Sequence, residues 1–207
     1  KPAQWQFSSS ALHTGLAIPS QINFVGKGMN LYDYGYKFSG SAFVIANYLR
    51  TSWLWDKVRV HGGAYGAFCR FNRRTGVITF VSYRDPNVQV TLDVYDKTAA
   101  FLQQTKISKD ELVKSIIGTI GDIDAYMLAD AKGSTSLFRH LTGVSDEKLQ
   151  QIRDEILQTS MQDFANFAEA LSGLREKGVV AIAGSEDTLK KVNEEREDAW
   201  LSITKVM

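Results

Sequence analysis

Arginine and tyrosine can both donate hydrogen bonds to a polarised carbonyl, and this chain sets one of each around a double glycine, in Arg59-Val60-His61-Gly62-Gly63-Ala64-Tyr65-Gly66. A guanidinium carries several N–H donors in a fixed fork and a phenol carries an O–H, so such a turn suits a bound peptide backbone or an oxyanion. Gly62 and Gly63 accept backbone angles that a Cβ resists, and they let another chain come close. If a strand begins at once, its alternation puts Tyr65 on one face with Ala67 and Cys69, small neighbours that leave room for the ring. The plainer reading is a glycine pair that stops a helix, with Arg59 in a surface ion pair and Tyr65 in the core. Composition alone favours the plainer reading.

Other chemistries find fewer residues. A dinucleotide loop places Gly-x-Gly-x-x-Gly between a strand and a following helix, but here a helix precedes the glycines and a strand follows. No Gly-Lys-Ser/Thr follows any glycine loop. Cys69 with His61 or His140 is a nucleophile and base in principle, yet Ala67-Phe68-Cys69-Arg70-Phe71 reads as a largely apolar strand, where a buried thiol is inert. No Gly-x-Ser-x-Gly elbow is present for Ser-His-Asp chemistry. His13, His61 and His140 are far apart and belong to no His-x-x-Glu-His or His-Glu-x-x-His run, and one cysteine cannot build a four-cysteine or two-cysteine, two-histidine zinc site. No metal is expected within this chain. With no second cysteine there is no intrachain disulfide, and a reducing compartment is the simpler setting.

The elements that must position Arg59 and Tyr65 follow from composition and periodicity. A chain of 207 residues with 44% hydrophobic and 23% charged side chains has the material for one sizeable core. A net charge of +1 supplies no broad basic field, which argues against nucleic acid or an anionic membrane as partner. No apolar run is long enough to span a bilayer. The start Lys1-Pro2-Ala3 lacks an initiator Met and a signal-peptide pattern, so a piece of a longer protein is expected.

Residues from about His13 to Val25 read as extended around an edge-type Pro19, and Gly26, Gly28, Asp33 and Gly35 as a loop. Ser39 or Ser41 is the expected cap of a helix with Ala42, Ile45, Ala46, Leu49 and Trp53 on one stripe, running into the Arg59 turn. Trp53-Leu54-Trp55 reads as packing, with Trp55 off the stripe and able to face another domain. Ala64 to Asn72 and Gly76 to Tyr83 form a hairpin with a basic tip of Arg70, Arg73 and Arg74. Asp85-Pro86 marks a helix start, and Ser108-Lys109-Asp110-Glu111 is a capping box. Helices are expected over Lys132 to Leu141, Ser145 to Leu157 and Met161 to Leu174, then a fully buried strand Gly178 to Gly184, and a solvated face at Glu194 to Asp198. Strands, a helical block and a closing strand give an α+β fold, an antiparallel or mixed sheet with helices packed on one face.

Taken in order, several motifs carry a resemblance. They are Asn23-Phe24-Val25-Gly26-Lys27, Gly40-Ser41-Ala42, Trp53-Leu54-Trp55-Asp56-Lys57-Val58-Arg59, Gly62-Gly63-Ala64-Tyr65-Gly66, Ser82-Tyr83-Arg84-Asp85-Pro86-Asn87 and Asp130-Ala131-Lys132-Gly133. Together the chain resembles, over nearly its whole length, the C-terminal domain of presequence proteases of the pitrilysin or insulinase family of zinc metallopeptidases, the plant organellar type in particular. The resemblance implies that residues 1–207 are the single, non-zinc fourth domain of a larger enzyme, whose two halves close around a peptide-sized chamber. It implies zinc in the parent enzyme, bound by another domain through His-x-x-Glu-His, and none here. It implies that Arg59 and Tyr65 are catalytic and, with Gly62 and Gly63, bind substrate. The implied partners are the N-terminal zinc-bearing half of the same polypeptide and unfolded peptide substrates, in the mitochondrial matrix or chloroplast stroma.

Two rival expectations come from other classes. A structural or assembly domain of the same fold, like respiratory-complex core subunits, has no use for Arg59 and Tyr65. An independent hydrolase built on Cys69 or His61 would turn over peptides in the presence of a chelator.

Overall fold

The computed structural model describes residues 12–196 and 200–206; Lys1, Pro2, Ala3, Glu197 and Asp198 of the expectations above lie outside them. In chain order the elements are β1 (His13–Ala17), β2 (Asn23–Asn30), α1 (Ser41–Thr51), a π-helical turn (Trp55–His61), β3 (Gly66–Phe71) and β4 (Val77–Asp85). Then come α2 (Gln89–Asp96), α3 (Thr98–Gln104), α4 (Lys109–Ile123), α5 (Ala129–Leu141), α6 (Asp146–Leu157), α7 (Met161–Leu171) and the short α8 (Leu174–Lys177). They are followed by β5 (Val179–Gly184), α9 (Glu186–Glu195) and β6 (Ser202–Lys205).

The strands form a sheet in the order β3-β4-β2-β5-β1-β6. Neighbours from β3 to β5 are antiparallel, while β1 is parallel to both β5 and β6, so the sheet is mixed. The register gives each face its row. Cys69, Phe80, Lys27, Val180 and His13 stand abreast on one side, and Phe68, Val81, Gly26, Ala181 and Thr14 on the other. The first side is the core side: Phe80 and Ile182 are fully buried against Leu49, Leu92, Tyr95, Phe167 and Leu189 of the helices. The second side has no helical layer among the described residues, and Phe68, Val81, Tyr83, Leu16 and Val179 are exposed there. The expected α+β arrangement, helices on one face of a mixed sheet, is the one found.

Several boundaries moved for physical reasons. Gly26 and Gly28 are not in a loop but within β2, because the neighbouring backbones come too close for side chains. A Cβ on Gly28 would lie 2.7 Å from the Ile78 carbonyl oxygen, and one on Gly26 would lie 3.3 Å from that of Ala181. β5 is buried only on alternate residues, since Val179 and Ala181 face the open side. Ser41 does not cap α1 through its side chain, but Ser39 Oγ accepts from the N–H of Ser41, the first helical residue, at 3.3 Å. The residue between them, Gly40, donates its N–H to Oε2 of Glu155 on α6 at 2.7 Å, so a distant carboxylate shares in holding the helix start. Asp85 ends β4 instead of opening a helix, and α2 begins at Gln89. The capping box at Ser108 and Glu111 is present, and Ser145 caps α6.

Lys27 is the unusual member of the core row, with its ammonium paired to Asp96 of α2 and within 3.4 Å of the Arg175 carbonyl in α8. Its side chain is 2% exposed and that of Asp96 12%. Removing one partner strands a charge in the interior. Asp96→Ala is expected to cost about 3–5 kcal/mol in urea unfolding, and Lys27→Met with Asp96→Leu to recover most of that loss.

Candidate functional site

The site begins where α1 passes into the π-helical turn. Leu54 and Val58 are buried and anchor that turn to the core, which leaves Trp55 and Arg59 on its outer side. A π turn holds more residues than an α turn, so residues four apart stand nearly above one another. The Arg59 guanidinium accordingly lies 4.0 Å from the centre of the Trp55 ring. Asp56, Lys57 and His61 make an exposed cluster beside it. The Lys57 ammonium, 3.0 Å from Asp56, is the first cause that holds this carboxyl below its usual range, and His61 Nδ1 lies 3.2 Å from the same group.

The glycine pair then ends the helix. Gly63 N–H donates to the Arg59 carbonyl at 3.0 Å, the bond of an αL cap, and Ala64 N–H reaches one residue further back to the Val58 carbonyl at 3.1 Å. Gly63 takes φ +78°, the left-handed conformation that this motif requires at that position. Gly62 keeps helical angles, but a Cβ there would lie 2.5 Å from the Val58 carbonyl oxygen. Ala64 is buried and pins the far side of the turn.

Residues after β4 hold this turn from below. Asn87 Nδ2 donates to the Gly62 carbonyl at 2.5 Å, and Asn87 N–H donates to Asp85 Oδ1 at 2.9 Å. The buried Asp85 carboxylate also accepts from Thr91 Oγ1 at 2.7 Å, while its carbonyl accepts from Asn23 Nδ2 at 3.0 Å. β2 and β4 slip register here. Asn23 is opposite Asp85 and Val25 opposite Ser82, so Tyr83 and Arg84 together face Phe24, with Arg84 at φ +52°.

Tyr65 emerges between these two supports. Its N–H donates to the Tyr83 carbonyl at 3.1 Å, and its own carbonyl accepts from Arg59 Nε at 3.0 Å. Its ring meets Tyr83 edge-on at 5.8 Å, and Tyr83 in turn meets Phe24 at 5.4 Å. The phenol is 68% exposed. The structure therefore brings Arg59 and Tyr65 together, joined through the backbone of one to the side chain of the other. Only Nε of Arg59 is engaged among the described residues, which leaves the two terminal nitrogens as donors.

Two expectations change, and that of an inert, buried Cys69 holds. Tyr65 does not share a face with Ala67 and Cys69: it precedes β3 and turns its ring to Tyr83 on the open side, while Cys69 faces the core. Of the plain reading, the helix stop is real, but Tyr65 is not in the core, and no carboxylate pairs with Arg59 among the described residues. Cys69 has no nucleophilic environment either, since burial pushes its thiol well above its usual range, and His61 points to Asp56. Among the described residues no group of His, Cys, Asp and Glu is placed to hold a metal. No helix among them is long and apolar enough to cross a membrane. Sequence reasoning passed over Trp55, Tyr83 and Asn87 as parts of the site. Nothing in the sequence singles out Trp55, whose four-residue spacing to Arg59 is ordinary for an α-helix, whereas Tyr83 and Asn87 could have been found from the run Ser82 to Asn87.

Compared with known proteins, residues 13–186 match the family model described as PreP C-terminal domain. Presequence protease 1, chloroplastic/mitochondrial, of Arabidopsis thaliana is 50% identical over 195 residues, covering 94% of this chain and 18% of that protein. The chain thus spans less than a fifth of that relative's length. The location in that protein's name agrees with the organellar setting expected from the motifs. Among solved structures, pitrilysin superposes with a TM-score of 0.61 at 13% identity, over 93% of this chain and 21% of its own. The peptidase M16 inactive domain from Pseudomonas fluorescens superposes with a TM-score of 0.60 at 16% identity, over 89% of this chain and 47% of that one. These two likenesses concern the fold.

Two outcomes test the local geometry. Gly63→Ala forces a side chain into the left-handed region and is expected to lower unfolding free energy by about 1–2 kcal/mol in chemical denaturation. Cys69 is expected to remain unmodified by a thiol reagent at pH 8 in the native chain and to react at once in denaturant.

Proposed function

The chain belongs to the PreP C-terminal domain family, and we propose that it is the non-zinc fourth domain of a zinc metalloendopeptidase of the mitochondrial matrix or chloroplast stroma. The enzyme degrades cleaved targeting peptides and other short unfolded peptides. The observation that carries this reading is the exposed, preorganised pair Arg59 and Tyr65, held at a rigid helix-to-strand corner, with the terminal nitrogens of Arg59 and the Tyr65 hydroxyl unpartnered among the described residues.

Peptide-bond hydrolysis builds negative charge on the scissile carbonyl oxygen. Donors already in place stabilise that charge without reorganising at the moment of reaction. The stack on Trp55 and the bond to the Tyr65 carbonyl fix the Arg59 fork, so its terminal nitrogens need no further ordering. The edge contact with Tyr83 does the same for the phenol ring. Gly62 and Gly63 present no side chain there and let the substrate backbone approach. Zinc, held in this reading by the N-terminal half of the same polypeptide, supplies the activated water. In the same reading this domain acts on the substrate from the side opposite the zinc.

The rival reading, a structural domain of the same fold, draws on the inactive peptidase domain that the chain superposes on. In the full-length protein, Tyr65→Phe and Arg59→Ala are each expected to lower kcat about 100-fold with zinc content unchanged, on the scale of a lost oxyanion donor. Near-normal peptide turnover in both variants would favour the structural reading. The 207-residue chain alone is expected to be inactive, with or without a chelator.

A further inference from the structure

A groove of about 1740 Å³ runs along the free edge of the sheet, apart from Arg59 and Tyr65. Both faces of β3 line it, Phe68 and Arg70 from one and Cys69 and Phe71 from the other, so the edge of the strand itself borders the groove. β3 is terminal in the strand order, with β4 on one side only. Asn72 N–H donates to the Val77 carbonyl at 2.9 Å, which sets the phase of the antiparallel ladder. Arg70 and Phe68 then turn their backbone groups to β4, and Ala67 and Cys69 turn theirs outward into the groove. Among the described residues no group meets those outward N–H and C=O groups. Proteins commonly blunt such an edge with proline, a bulge or a covering element. Here α5 forms the far wall but leaves the edge open, held off through Arg74, which donates to Thr142 Oγ1 at 2.6 Å and lies 4.3 Å from the Phe138 ring.

The charge of the groove identifies what it would accept. Arg50, Arg70, Arg73, Arg74 and Arg139 line it along with one carboxylate, Asp122, which Arg50 already meets at 3.3 Å. Arg70 and Arg139 have no carboxylate within ion-pair distance among the described residues. We infer that the free edge of β3 takes up an extended peptide segment bearing acidic side chains, added as a strand beside Ala67 and Cys69 with its carboxylates on Arg70 and Arg139. A second copy of this chain is a poor occupant, because pairing β3 with β3 sets like charges of Arg70 near one another. The ligand class is also opposite to targeting peptides, which are rich in arginine and poor in acidic residues. The groove is therefore a second peptide site with its own selectivity, and the inference does not depend on the roles given to Arg59 and Tyr65.

The test is fluorescence anisotropy of the 207-residue chain with a labelled peptide of about eight residues that alternates Val and Glu, and with its twin carrying Lys for Glu. The Glu peptide is expected to bind at least about tenfold more tightly than the Lys peptide, and to lose about tenfold or more in Arg70→Glu/Arg139→Glu. Tyr65→Phe is expected to leave its affinity unchanged. Ala67→Pro, which removes an outward donor, is expected to abolish binding. A Glu peptide N-methylated on alternate residues asks the same question without altering the protein, and it too is expected not to bind. Equal binding of the two peptides, binding that survives the charge reversal or the N-methylation, or dimers in sedimentation equilibrium that Ala67→Pro dissolves would overturn the assignment.

Discussion

The hydrogen bond from Ala64 N–H to the Val58 carbonyl fixes the place where the helical layer hands the chain to the sheet. Every feature of the candidate site is downstream of it. The bond requires a left-handed residue at position 63, which glycine alone supplies without strain, and it turns the chain so that Tyr65 leaves the corner beside Arg59. Because the carbonyl of Tyr65 then accepts from Arg59 Nε, the two functional side chains are ordered by one another. Asn87 and Pro86 reinforce the corner from the opposite direction, so that it is supported by residues on both sides of the hairpin. Rigidity here has a clear physical source in hydrogen bonds that converge on backbone carbonyls of the corner, from Ala64 N–H, Arg59 Nε and Asn87 Nδ2.

The sheet divides the work of the molecule between its faces. Toward the helices it is a packed core that includes the Lys27 and Asp96 pair, which draws β2, α2 and α8 to a common point. That pair contributes position more than net stability, since two desolvated charges give back much of what their attraction supplies. Away from the helices the same strands carry an open surface with Phe68, Val81 and Tyr83, and the Tyr65 ring stands at its margin. An amphipathic sheet of this kind needs only one layer of helices to fold, and the second face is left for other tasks.

Most of this fold was legible in the sequence wherever local chemistry decided the outcome. The Ser108 box, the β3–β4 hairpin and the starts of α4, α6 and α7 follow from caps, turns and periodicity, and they sit within a residue or two of where those signals put them. What was not legible depended on partners far along the chain. Gly26 and Gly28 carry a loop signature, and only the close passage of the Ile78 and Ala181 backbones explains them as strand residues. The start of α1 depends in part on Glu155, more than a hundred positions away, and Asp85 is a strand terminus because Thr91 and Asn87 bind its carboxylate there. The pairing of Arg59 with Tyr65 came from the resemblance of ordered motifs. Their geometry did not, since simple alternation would have turned the phenol toward Cys69. The stack of Arg59 on Trp55 was hidden for a similar reason, because the four-residue spacing is an ordinary α-helical one and nothing in it announces a wider turn.

The bulge at Tyr83 and Arg84 has a consequence for how the chain can change over time. Two residues there face one, so the side chains before and after the bulge keep their faces only because one residue is out of step. An insertion or deletion of a single residue between Ser82 and Asp85 would move the buried Asp85 to the opposite face and carry Tyr83 away from Tyr65, dissolving both supports of the corner at once. The tip of the same hairpin, Arg73-Arg74-Thr75-Gly76, bears no comparable constraint on facing. Length variation among relatives should therefore collect at the hairpin tip and stop short of the bulge, making the count of residues from Val77 to Asp85 as much a part of the site as any side chain in it.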